Sequence, residues 1–110
     1  MTEKACMIRY GDETICVDSS LPLFSILGKK YTILIMGMLS GDSEMATFNQ
    51  IRRGIPEASA RAISLRLREM EEAGMVRRGM NQDHVTYFLT ESGMKIKDTL
   101  KGFFDLMAQS

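Results

Sequence analysis

The chain predicts a mainly α fold with a small antiparallel β-hairpin wing, a winged helix-turn-helix. An N-terminal β-hairpin arm precedes it and a C-terminal dimerisation helix follows. Three observations predict this. From residue 47 to residue 89 the signals read helix, tight turn, helix, hairpin. That order lets a winged helix offer one helix to the major groove of DNA and a hairpin to the flanking backbone. Seven of the eight arginines lie between Arg52 and Arg78, although the formal net charge is zero. Positive charge is therefore wanted on this segment rather than everywhere. Finally, the last stretch is an amphipathic helix with more apolar surface than a small domain readily covers. The expected divisions are an arm at 1–19, a winged-helix domain at 20–90 and a dimerisation helix at 91–110.

The arm reads as a hairpin over Ala5 to Val17, in which Cys6, Ile8 and Tyr10 alternate with Met7 and Arg9, and Gly11-Asp12-Glu13 turn the chain. A two-residue loop pairs Cys6 with Val17 and a three-residue loop pairs it with Asp18. Neither sets the sulfurs opposite each other, so no cross-strand disulfide is expected. Ser19 or Ser20 can cap a short helix with Pro22 in its first turn. Lys29 and Lys30 open the next helix, Tyr31 to Leu39, apolar on nearly every side and so expected at the centre of the core.

Thr47-Phe48-Asn49-Gln50 has capping-box spacing and starts a helix that Gly54 and Pro56 stop. Ser59 caps the next, about residues 59–73, which ends near Gly74. Met75 to Arg78 and Val85 to Leu89 are expected strands of a wing spanning about 75–89, with a polar tip from Gly79 to His84. In the second strand Val85, Tyr87 and Leu89 alternate with Thr86 and Thr90, with Phe88 facing the other way and expected to be covered as well. Thr90 caps one last helix to about Met107. Its stripe of Ile96, Leu100, Phe103 and Met107, widened by Phe104 and Leu106, reads as a dimer interface.

On a helical wheel, Ala60, Ile63, Leu67, Met70 and Gly74 fall on one side of the 59–73 helix as its buried stripe. Arg61, Ser64, Leu65 and Arg68 lie opposite, with Glu69 and Glu72 toward the far end. Charge thus runs from positive to negative along the helix, the reverse of what its dipole favours by a few tenths to ~1 kcal/mol per charge. Helix stability alone would not select that order. A helix entering a groove by its first turns would: arginine meets phosphate or guanine, Ser64 bonds either, and Leu65 touches a thymine methyl. The plainer alternative pairs Arg68 with Glu72, which leaves Arg52, Arg53, Arg61, Arg77 and Arg78 unexplained. Arg66 points to the buried side as a brace.

A chain of 110 residues with 25% charged and 45% hydrophobic residues is one ordinary globular domain. No apolar run spans a bilayer, and the N-terminal residues lack a signal-peptide pattern, so a cytoplasmic protein without membrane association is expected. One histidine and two cysteines are too few for a usual zinc site, and no phosphate loop or nucleophile motif is present. No metal, cofactor or enzymatic activity is expected.

From Leu27 to Leu106 the chain resembles the HxlR-type transcriptional regulators, relatives of the MarR group of winged-helix proteins. The resemblance rests on Leu27-Gly28-Lys29-Lys30-Tyr31-Thr32, on Thr47 to Arg53, on Arg66 to Arg78 and on Val85 to Gly93, in order and at family-like spacing. It implies a homodimer, built largely from the terminal elements, on a pseudo-palindromic operator in double-stranded DNA. The family's Trp is Tyr31 here, the Gly before its Lys is Lys29, and the Gly of its interhelical turn is Glu57. Its Cys-Pro pair, through which some members sense oxidants, is replaced at Asp18. Cys16 lies two residues away, so it is read either as a redox sensor or as a small buried strand residue.

The reading is a dimeric DNA-binding regulator in which Arg61, Ser64, Leu65 and Arg68 read bases. Thr47, Asn49, Arg52, Arg53, Ser59, Asn81, Gln82 and His84 mainly hold the backbone. Arg77 and Arg78 alternate across a strand, so one faces DNA and the other is free to pair with Glu71 or Glu72. Two alternatives compete: a winged helix that binds an acidic protein instead of DNA, and a regulator gated by a small-molecule effector.

Overall fold

A computed structural model describes residues 5–109. The arm is β1 (Ala5–Tyr10) and β2 (Glu13–Val17), followed by α1 (Pro22–Leu27) and α2 (Thr32–Met38). A two-residue strand β3 (Ala46–Thr47) leads into α3 (Phe48–Gly54), then α4 (Ala60–Glu72). The wing is β4 (Val76–Asn81) and β5 (His84–Leu89), and α5 (Glu91–Thr99) and α6 (Lys101–Ala108) close the chain. Residues 1–4 and 110, the outer ends of the expected arm and C-terminal helix, lie outside the described residues.

The core joins α2, α3, α4 and the base of the wing. Ile35, Met36, Leu39, Ile51, Ile55, Ile63, Leu67, Met70, Met75, Val76 and Leu89 are all buried in one cluster. The central position expected of α2 follows from its having no polar face, though Leu34 stays exposed. Tyr31 enters α2 at φ +76°, and the helix proper starts at Thr32.

Several local expectations are corrected. Cys6 and Cys16 form a disulfide. The turn is the two-residue loop at Gly11-Asp12, with Ile8 opposite Ile15, but the register shifts between Ala5 and Ile8, so that Ala5 pairs with Val17. Two residues of β1, Cys6 and Met7, therefore oppose the single Cys16. Such a bulge moves Cys6 across from its partner, and uniform counting from the turn cannot foresee it. Cys16 is exposed rather than a buried strand residue. Neither Ser19 nor Ser20 caps α1, which follows Leu21 without a side-chain cap. The Asp18 carboxylate instead accepts from Ser20 Oγ and from the Ser20 amide, at 2.6 and 3.0 Å.

The C-terminal helix is not continuous. It is interrupted at Leu100, whose amide is shared between Ile96 and Lys97 carbonyls, while Thr99 Oγ1 donates back to Ile96 O at 2.6 Å. A threonine hydroxyl competing for a helical carbonyl loosens the ladder at that point. The expected stripe is accordingly split. Ile96 and Leu100 are half-buried against the chain's own core, whereas Phe103, Leu106 and Met107 on α6 are exposed.

The wing is longer and its tip tighter than expected. Gly79, Met80 and Asn81 belong to β4, and only Gln82 and Asp83 form the turn, both at positive φ (51° and 70°). Two left-handed residues make the turn type whose twist suits a hairpin. In β5 the alternation also departs from expectation. Val85 is exposed and Thr86 is buried, because β3 pairs on the outer side of β5 and Thr86 Oγ1 packs on Met45 Sδ at 3.1 Å. The sheet order is β3-β5-β4.

Candidate nucleic-acid interface

The helix-turn-helix is α3, a turn through residues 55–59, and α4. Thr47 and Gln50 form the capping box that starts α3: Thr47 Oγ1 accepts from the Gln50 amide at 3.2 Å, and Gln50 Oε1 accepts from the Thr47 amide at 2.8 Å. Ile55 and Ala58 anchor the turn in the core. Glu57, where the family has glycine, is not among the residues at positive φ, so this turn does not need glycine there.

Ser59 caps α4, its hydroxyl accepting from the Ala62 amide at 3.1 Å. Ile63, Leu67 and Met70 are buried on the inner face, and Arg61, Ser64, Leu65 and Arg68 are all exposed on the outer one. Leu65 is 51% exposed, a large apolar side chain held out between two arginines. The first turn of α4 contains no acidic residue and the last no basic one. The amino end therefore adds its own partial positive charge to that of Arg61.

On α3, Arg52 and Arg53 are exposed and, with Asn49, Pro56 and Ala58, line a shallow depression of about 280 Å³ beside the turn. Thr47 is half-buried with its hydroxyl occupied by the cap, which leaves Asn49 as the freer polar side chain at this end. Among the described residues, Arg52, Arg53, Arg61, Arg68 and Arg77 take part in no ion pair. The Arg68–Glu72 pairing is thus not made.

The other basic groups near α4 are committed to structure. Glu69 receives both Lys29 and Arg66, and Arg66 Nε donates to Lys30 O at 2.8 Å. The Lys29 ammonium, opposed by partial burial and helped by Arg66, holds the Glu69 carboxyl below its ordinary 4.5. This cluster ties α4 to the α1–α2 junction. Arg78 Nε donates to Glu71 Oε1 at 3.0 Å, tying the wing to the end of α4 and leaving Arg77 as the unpaired wing arginine. The base of the wing is fixed by Thr90, whose Oγ1 donates to Gly74 O at 2.6 Å and accepts from the Gly93 amide at 3.1 Å. Asn81 and His84 face each other at the tip, exposed, on either side of exposed Gln82 and Asp83.

Sequence reasoning passed over two features. Met80 on the wing is 67% exposed and pairs with exposed Val85, which makes an apolar strip behind the polar tip. Lys29 is an anchor of α4 rather than only the opening of α2. A methionine among polar turn residues could have signalled the first, whereas the second needs a contact 40 residues apart.

Among the described residues, no group of three or more His, Cys, Asp or Glu side chains could hold a metal, and no helix is long and apolar enough to cross a membrane.

Comparison with known proteins agrees with this fold. No functionally curated protein sequence matches the chain. A possible HxlR family transcriptional factor from Thermoplasma volcanium is 39% identical, with 96% of this chain and 94% of that one covered at a TM-score of 0.82. The reduced form of the regulator YodB from B. subtilis is 31% identical, covering 79% of this chain and 82% of that one at 0.60. The S. aureus MepR–DNA complex, 22% identical, shares the fold over 80% of this chain and 73% of that one at 0.63. The model of the HxlR-like helix-turn-helix family matches residues 26–110. The chain therefore belongs to the HxlR-like helix-turn-helix family, whose members are transcriptional regulators and not enzymes.

Proposed function

We propose that the chain works in the cytoplasm as a homodimer on a pseudo-palindromic operator, with α4 in the major groove and the β4–β5 wing on the flanking backbone. The observation that carries this reading is the outer row of α4. Arg61, Ser64, Leu65 and Arg68 stand exposed, and among the described residues neither arginine pairs with an acid. Buried on the other side by Ile63, Leu67 and Met70, the row is held rigidly, as base readout requires.

Ser59, Asn49, Arg52 and Arg53 border the same face, and Arg77, Asn81, Gln82 and His84 extend it along the wing. These groups set position on phosphates, while the α4 row selects sequence. Two copies related by a two-fold axis would place their recognition helices about 34 Å apart, one turn of the duplex. Phe103, Leu106 and Met107 on α6, beside the half-buried Phe104, supply the apolar surface for that pairing.

Selection of bound duplexes from a random pool with the purified full chain tests the reading. A palindromic consensus with half-sites one helical turn apart is expected. Recovery of no enriched sequence, with no duplex binding at low salt, would favour a protein-binding role for the arginine face.

A further inference from the structure

We propose that Met80 and Val85 form an apolar DNA contact: the flank of the wing on the α4 side packs on the deoxyriboses of the strand that runs between wing and helix, and so adds affinity that salt does not screen. This rests on the operator-binding reading above and gives it an uncharged contact beside its arginines.

The register of the wing sorts its side chains onto two faces. Val76 with Leu89, Arg78 with Tyr87 and Met80 with Val85 share one face; Arg77 with Phe88, Gly79 with Thr86 and Asn81 with His84 share the other. The first face is the inward one, because Val76 and Leu89 are buried in the core and Arg78 bonds Glu71 near the end of α4. Met80 and Val85 continue that face past the last core contact, where they are 67% and 44% exposed. Pairing with β3 ends at Thr86, so the ribbon beyond it has only two strands. Such a ribbon is marginal in water by itself. Polar residues on both faces would suit an end that meets only solvent. The outer face has them in Asn81 and His84, whereas the inner face has a methionine and a valine.

What meets this strip must offer apolar surface bordered by negative charge. Arg78, mostly exposed despite its bond to Glu71, stands at one end of the strip, and the amides of Asn81 and Gln82 stand at the other. A nucleic-acid strand has that alternation, with a sugar walled by C–H groups between successive phosphates. The two side chains divide the task. Unbranched Met80 adapts to whichever sugar it meets, and β-branched Val85 stiffens the ribbon beside it. Asp83 is the one acid between Val76 and Leu89 and lies in the turn, so phosphate is repelled from the end of the ribbon and contact falls to its flank. Because sugars are alike under every base, the strip strengthens binding without reading sequence.

The test uses the full chain on its selected operator, with affinity followed over a salt series and sugar contacts mapped by hydroxyl-radical cleavage, which attacks deoxyribose hydrogens exposed in the minor groove. Met80→Ser with Val85→Thr should weaken binding about fivefold or more on every duplex, with the slope against salt unchanged. Arg77→Ala should instead reduce that slope by about one. The double variant should also lose protection of the sugars flanking each half-site while keeping protection within it, which shows that α4 still docks. Met80→Leu, apolar and of like size, should retain both affinity and flanking protection. Unchanged affinity and footprint in the double variant would overturn the strip as a DNA contact. A weakened dimer in sedimentation with an unchanged footprint would overturn it too, and would give the strip to a second copy. A wild-type chain that binds no duplex at low salt would instead overturn the operator-binding reading itself.

Discussion

Arg61 stands exposed in the first turn of α4, where no acidic residue of that turn offsets the partial positive charge of the helix amino end. Changing Arg61 to Ala should cost on the order of 1–3 kcal/mol in operator binding and relax preference at one base position. Titration against a panel of single-base operator variants checks this, and uniform loss on every duplex would make Arg61 a phosphate contact. Glu69 is the opposite sort of residue, an acid wholly spent on structure. Because its folded pKa lies below the ordinary 4.5, its stabilising effect is full above the unfolded value and is lost as pH falls through the folded one. Glu69→Gln should therefore flatten the acid limb of the stability curve below roughly pH 4.5, measured by denaturant unfolding across pH. Gly93 is buried where a Cβ would run into the Met75 carbonyl and lie 3.2 Å from the Leu89 side chain. Gly93→Ala should lower unfolding free energy by about 1–3 kcal/mol, since the obstacle is backbone already bonded to the Thr90 amide.

At the scale of elements, α4 was the most legible part of the chain. Its 3.6-residue periodicity separated Ile63, Leu67 and Met70 from Arg61, Ser64, Leu65 and Arg68, and its cap at Ser59 and stop at Gly74 sit where the sequence puts them. The capping box of α3 was equally plain, because both partners lie within three residues. What escaped was set by partners distant in sequence or by a break in regularity. Thr86 is buried only because β3 lies alongside β5, and no local pattern announces a two-residue strand. The disulfide depends on one extra residue in β1, and the division of the last helix on the Thr99 hydroxyl. The candidate site was thus readable as a set of exposed side chains. Which arginines were already engaged, Arg66 with Glu69 and Arg78 with Glu71, depended on folded geometry.

For the whole molecule, a net charge of zero means that duplex binding draws on a local basic face and not on overall attraction. If each dimer neutralises roughly 6–10 phosphates, affinity should fall by about 10³–10⁵ between about 50 and 200 mM salt. Fluorescence anisotropy on the selected operator measures that slope, and a shallow one would point to far fewer phosphate contacts. The helix-turn-helix, the wing and the two C-terminal helices also belong to one mechanical unit. Lys97 Nζ donates to Leu39 O at 2.8 Å, so α5 grips the end of the central helix α2, and α6 leans on that helix through Phe104.

The lean of α6 depends on position 37 having no side chain, since a Cβ there would stand 3.2 Å from the Phe104 ring. In the proposed assembly, one added methyl group would swing α6 and alter the angle between the two reading heads. The gap tolerated between half-sites could then drift during evolution while every base-contacting residue stayed unchanged. Paralogues with identical recognition helices would come to occupy differently spaced promoters.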